Sequence, residues 1–211
     1  NYNCTKEIEG MSVPPLQSYC QSVLCLDFDG VLHRASDAIH VPTSTSNGPL
    51  LLVQLKAQRR LIWLDELAEV LAARPEVAIL VHSTWRRKFD QATLAHLLGD
   101  LQDRVLQPPG YFVDLTAPAP DFIRQSLEWI NEARREANVP ELSLQEMVVL
   151  DDRPEFFASD EDVARQLVLT NPDLGLSSPS TRADLALALD RAGAERAEVG
   201  MELCDAPTSK F

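Results

Sequence analysis

Nowhere does this chain hold the run of about 20 apolar residues that a membrane-crossing helix needs, so no transmembrane span is expected. The first twenty residues lack a basic head followed by an apolar stretch, and no secretory signal is expected there. Cysteine is sparse. Cys4, Cys20, Cys25 and Cys204 show no CxxC spacing, and Cys25 falls inside an apolar run. That argues against a zinc site or a disulfide frame and for reduced thiols in a cytoplasmic protein. Positive charge is in deficit: 19 Lys and Arg face 32 Asp and Glu, a formal net charge of −13. Proteins that grip long nucleic acid by its phosphates carry a basic surface. Tight binding to duplex DNA or RNA is therefore not expected, whereas a local basic patch still suffices for one phosphate. Internal repeats and low-complexity tracts are absent too.

What is present is an ordinary globular composition, 45% hydrophobic and 24% charged, on 211 residues, enough for one domain with a full core. Short apolar runs alternate with helical periodicity, the pattern of a parallel α/β sheet. Val23-Leu24-Cys25-Leu26 is apolar throughout, as a strand covered on both faces should be. Val77–Val81, Met147–Leu150 and, at the edge, Gln166–Leu169 read the same way. A third strand is placed at Tyr111-Phe112-Val113, with Val105-Leu106 as its rival. Helices are expected near 60–73, 86–98, 121–137 and 155–165. The third of these has Asp121 as N-cap and Ile123, Leu127, Ile130 and Ala137 on one face. Trp63 and Trp129 fit amphipathic faces and are assigned to the core. Residues 33–58, crowded with Ser, Thr, Pro, Asn and Gly, read as a long flexible loop. Residues 171–180 read as a linker to a last helix over 181–192, closed by Gly193. The expected organisation is an extension over 1–20, a catalytic domain over 21–193 and a tail over 194–211.

The chemistry gathers where apolar runs end. The first runs into Asp27-Phe28-Asp29-Gly30-Val31, and alternation puts Asp27 and Asp29 on one side with Phe28 turned inward. Two carboxylates so close repel unless a cation or a shared proton offsets them. The second ends in His82-Ser83-Thr84-Trp85-Arg86-Arg87-Lys88, where either hydroxyl can donate to a phosphate oxygen. Each signal alone also fits something ordinary, a solvated acid pair or a helix cap. The fourth ends in Asp151-Asp152-Arg153-Pro154, a second acidic pair. Ligands of open α/β sheets bind outside the carboxyl ends of the strands. Acid, hydroxyl and acid at three such ends argue together for a site, and hard carboxylate oxygens suit Mg2+.

LDFDGVL, VHSTWR and VVLDDRPEF resemble the first, second and fourth motifs of the haloacid dehalogenase-like (HAD) superfamily, over roughly residues 22–170. Trp85, Arg86 and the later LVLTNPDLGL are similar to the small bacterial HAD domains grouped with RNA-repair proteins. The resemblance implies a Rossmann-like HAD fold, a central parallel sheet of about five strands with helices on both faces. It also implies an aspartyl-phosphate intermediate and Mg2+ as cofactor. The spacing leaves no room for a large cap domain.

Carried over, the resemblance gives Asp27 as nucleophile, Asp29 as general acid and base, and Asp27, Asp29 (by its main-chain carbonyl), Asp151 and Asp152 as metal ligands. Ser83 and a cation hold the phosphoryl oxygens, and Thr84, Arg86 and Lys88 bind substrate. The usual third-motif lysine is missing: no Lys lies between Lys88 and Lys210. Arg124, in the first turn of a helix that starts at the site's edge, is expected to replace it, with Arg86 and Lys88 as rivals. Arg134 and Arg135 fall at the far end. His33 and His82 flank the site and are read as packing or hydrogen-bonding residues. The expected activity is Mg-dependent phosphomonoester hydrolysis of a small molecule or a short nucleic-acid end. The rival expectation is a binding or regulatory protein with vestigial chemistry.

Overall fold

The computed structural model describes residues 19–37 and 61–204. Most of the expected 33–58 loop, the 1–18 segment and the end of the chain lie outside the described residues. Five parallel strands form one sheet: β1 Ser22–Leu26, β2 Val77–Val81, β3 Val105–Leu106, β4 Met147–Asp151 and β5 Leu167–Leu169, in the order β3-β2-β1-β4-β5. Helices α1 Leu64–Ala72, α2 Gln91–Leu97, α3 Ala119–Glu136, α4 Glu161–Ala164 and α5 Pro179–Cys204 accompany them. β1 is central, registered on β2 as Leu26↔Val81 and on β4 as Leu26↔Leu150.

Alternation along the buried strands builds two cores. Leu24, Leu26, Ile79, Val81, Val148 and Leu150 face α1, α2 and α5 through Leu67, Leu94 and Leu185. Val23, Cys25, Leu80, Met147 and Val149 face α3 and α4 through Phe122, Ile130 and Val163. Helices thus cover both faces, as expected. After β4 the chain makes only a 3-10 turn, Pro154–Phe157, and the four-residue α4 before β5, so no cap is inserted there.

Several boundaries differ from expectation for identifiable reasons. The third strand is Val105–Leu106, not Tyr111–Val113; the amides of Phe112 and Val113 both bond the Pro109 carbonyl, closing a turn. Pro118 is the N-cap of α3, with Asp121 inside the first turn, because proline is well suited near a helix start. Asp90 caps α2 by accepting from the Thr93 amide, so the residues before it form a separate 3-10 turn, Thr84–Arg87. The segment expected as a helix over 155–165 is broken between that 3-10 turn and α4, where Asp160 caps instead. The last helix passes through Gly193, which has no positive φ and acts as no cap. Trp63 is buried and Trp129 half-buried against the core, as their helical faces predict.

Two glycines are required by close approach. Gly30 has φ +73°, and a Cβ there would fall 2.4 Å from Asp152 Cγ. Gly175 has φ +44°, and its Cβ would meet the Trp63 ring at 2.3 Å and the Val31 carbonyl at 2.4 Å. Through the second, the segment after β5 straps the turn after β1. The Leu176 amide bonds the Val31 carbonyl at 3.1 Å, the Ala35 amide bonds Pro172 at 2.8 Å, and Thr170 Oγ1 donates to Gly30 at 2.9 Å.

Candidate active site

Because β1, β2 and β4 are adjacent and parallel, their carboxyl ends deliver Asp27, Ser83 and the Asp151–Asp152 pair to one edge. Asp27, Asp151 and Asp152 each offer a ligand atom, all within 4.8 Å of one another. Asp27 and Asp151 are 8% and 2% exposed. Burial drives the Asp27 carboxyl up to about 7, with the charges of Asp29 and Asp152 adding to it, although the Ser83 hydroxyl and the Phe28 amide donate to it. Burial and then the charge of Asp27 push Asp151 up to about 8, against the Arg153 amide, which donates to Asp151 Oδ1 at 2.7 Å. Asp152 is raised as well, chiefly by burial. Three carboxylates held this way are short of positive charge. Their hard oxygen donors fit Mg2+, which accepts carboxylates and keeps waters.

Asp29 is anchored through one oxygen and packed closely at the other. His33 Nε2 lies 3.1 Å from Oδ1, and the Trp85 indole N–H donates to Oδ2 at 3.0 Å. His33 Nδ1 is 2.9 Å from the Arg34 carbonyl, so that nitrogen carries a proton when the bond is made. His82 is buried, its Nε2 3.7 Å from Asp151 Oδ2. Burial, then the charge of Arg86, lowers it to about 3, so it stands neutral rather than paired as a cation.

Arg86 is a buried cation in the lining shared with Asp27 and Asp151. Its guanidinium is buried, donates to the carbonyls of His82, Ser83 and Ala117, and lies 4.5 Å over the Phe122 ring. Burial brings it down to about 10, with Asp27 opposing that shift, so it stays charged at neutral pH. Its Nε is buried with no hydrogen-bond partner among the described residues.

A cavity of about 220 Å3 is lined by Asp27, His82, Thr84, Arg86, Arg87, Pro118, Ala119, Asp151 and Phe156. Of the residues expected at the site, Asp27, Thr84, Arg86 and Asp151 line it directly. Ser83 and Asp152 reach it through Asp27. Lys88 ends the 3-10 turn on the surface and is not part of the lining. Neither is Arg124. It is turned to Asp160 in a bidentate pair, with Asp162 at 3.7 Å, and so ties α3 to the cap of α4. Arg134 is buried and donates to the carbonyls of Pro140 and Cys20 at 2.7 and 2.8 Å. The sequence reading did not assign the Trp85 bond to Asp29, nor Phe156 and Pro118–Ala119 in the lining. Trp85 carries only a weak sequence signal, a lone indole donor beside the second motif. The others come from segments that meet only in the fold.

Comparison with known families gives one match: the family described as HAD domain in Swiss Army Knife RNA repair proteins aligns with residues 23–181. Searches of curated proteins and of solved structures give no match.

Proposed function

The chain belongs to the family of HAD domains in Swiss Army Knife RNA repair proteins, and we propose that it is a magnesium-dependent phosphomonoester hydrolase acting through an aspartyl phosphate on Asp27. The observation that carries this is the buried Asp27 carboxylate at the end of β1, with Asp151 and Asp152 within 4.8 Å and Arg86 and Arg87 on the same cavity. Residues 21–193 are the catalytic unit in this reading, with phosphate esters, short single-stranded nucleic-acid ends included, as substrates.

Asp27 attacks phosphorus while the bond to the leaving oxygen breaks, giving an acyl phosphate. Asp29 protonates that oxygen, then takes a proton from the water whose attack cleaves the acyl phosphate and restores Asp27. Asp27, Asp151, Asp152 and the Asp29 main-chain carbonyl would hold Mg2+, which neutralises phosphoryl charge when bound. Ser83 orients the nucleophile by its hydroxyl. The role of the absent lysine goes to Arg86, supported by its place in the cavity lining with Asp27 and its unpartnered Nε, in preference to Arg124, which lies outside that lining and is paired with Asp160. The terminal nitrogens of Arg86 are fixed on backbone carbonyls, so it would act through its positioned charge and its Nε.

The test is hydrolysis of aryl phosphate and of a phosphate-ester panel, with and without Mg2+. Activity that needs the ion and vanishes in Asp27→Asn is expected. Wild-type turnover in that variant would rule out the covalent route, and no hydrolysis of any ester by the wild type would favour the vestigial binding protein.

A further inference from the structure

The cavity that receives the phosphoryl group in this reading does not end in polar groups. Phe156 lines it with 40% of its surface exposed, while Phe157 is wholly buried, its ring 6.0 Å from that of His82. Burial of Phe157 fixes the Pro154–Phe157 turn, so Phe156 is held outward by an anchored backbone. A single exposed apolar side chain ordinarily needs no explanation. This one shares its cavity with the nucleophile, and Pro118 and Ala119 add further apolar lining. The Arg153 guanidinium sits 4.3 Å from the Phe156 ring centroid, and its charge is answered by Glu155 at 2.5 Å. The ring is thus backed by a planar cation that is itself paired with Glu155. Arg87 is exposed and bonds the Ala117 carbonyl through one nitrogen at 3.5 Å, which leaves donors for the ester's polar part.

Resting on the phosphohydrolase reading above, we propose that Phe156, with Pro118 and Ala119, forms a stacking subsite for the base of a phosphorylated nucleoside. The nucleoside is either a free mononucleotide or the last residue of a strand. Every base has a π-face, so such a platform accepts any base while rejecting a sugar phosphate that has none. The short cavity and the acidic charge confine recognition to one terminal nucleoside.

Binding is measured by calorimetry on the Asp27→Asn protein with Mg2+, using nucleoside 3′- and 5′-monophosphates, a 3′-phosphorylated trinucleotide and base-free ribose 5-phosphate. The nucleosides are expected to bind about tenfold or more tightly than the base-free ester, as one stacked base commonly contributes. Adding Phe156→Ala should erase that margin, and Phe156→Tyr should keep it. Either ranking of mononucleotide and trinucleotide supports the subsite and identifies its source. Equal binding of base-free ester and nucleosides, or a margin that survives Phe156→Ala, overturns the proposal. In turnover by the otherwise wild-type enzyme, Phe156→Ala should narrow the preference for nucleoside over sugar ester through KM rather than kcat; a change confined to kcat counts against stacking. An absence of turnover on all esters would instead sink the phosphohydrolase reading, while the binding comparison still decides the subsite.

Discussion

At the scale of single residues, the proposed mechanism turns on the orientation of Asp29. The Trp85 indole holds Oδ2 and the buried His33 ring packs 3.1 Å from Oδ1, so either substitution loosens the carboxyl. His33→Ala and Trp85→Phe should each lower turnover on alkyl phosphates by about 10- to 100-fold, within the range of general acid catalysis. Aryl phosphates with good leaving groups need little protonation and should suffer much less. A leaving-group series measures this, and a uniform loss across it would mean that Asp29 is not being positioned as an acid. The arginines separate in the same way. Arg124→Ala removes a half-exposed ion pair and should leave kcat within about threefold, since such pairs contribute little. Arg86→Lys should cut kcat by about tenfold or more by losing the carbonyl anchors that fix the charge. A larger loss from Arg124→Ala would return the phosphate role to that residue. Arg134→Ala is no neutral control: it removes the buried guanidinium donor to the Cys20 and Pro140 carbonyls and should cost about 1–3 kcal/mol, read as a drop in denaturation midpoint.

At the scale of elements, the strand ends make the site, and they were readable because each ends an unbroken apolar run with a polar or acidic residue. DFDG, HST and LDD announced Asp27, Ser83 and Asp151–Asp152 in the right order on the right edge. What the chain did not announce depends on long-range fit. Val105–Leu106 is only two residues long, too short for periodicity to outweigh the more aromatic Tyr111–Val113. The destination of Arg124 was unreadable because helical position gives a height along α3 but not the competing pull of Asp160, brought close by the broken segment after β4. Gly30 illustrates a further gap: a sharp turn was legible, the Asp152 carboxylate packed into the missing side chain was not. Gly30→Ala should displace Asp152 and weaken Mg2+ binding, seen as a reduced Mg-induced rise in Tm. An unchanged rise would show that Asp152 is dispensable as a ligand.

At the scale of the whole molecule, the acidic cluster links stability to pH and metal. Asp27 and Asp151 are raised in the fold to about 7 and about 8, so the metal-free folded state binds protons that the unfolded chain releases near pH 4. Between about pH 4 and 8 metal-free stability should therefore fall as pH rises, by up to about 1.4 kcal/mol per pH unit for each such proton. Asp151→Asn should flatten that fall and raise Tm near pH 8 without Mg2+, while abolishing the gain on adding it. Thermal melts across pH, with Mg2+ or chelator, provide the comparison; a wild-type slope equal to the variant's would place the repulsion elsewhere. The net charge of −13 sets a second expectation. A 3′-phosphorylated trinucleotide should be hydrolysed faster than a long phosphorylated duplex at equal salt, because each further phosphate needs a cation to hold it. Faster turnover of the duplex would reveal a basic track along which it lies.

The register of β1 against β4 also fixes when this site comes into being. Asp27 is made well before Asp151, and they meet only once Leu26 lies beside Leu150. Closing so long a loop is among the slower steps of folding. The nascent chain therefore holds the proposed nucleophile without the rest of the acidic cluster until Asp151 has been made. During refolding, recovery of activity should track the last docking event rather than the appearance of helix. On the proposed reading, catalysis is a clock for the completion of the sheet.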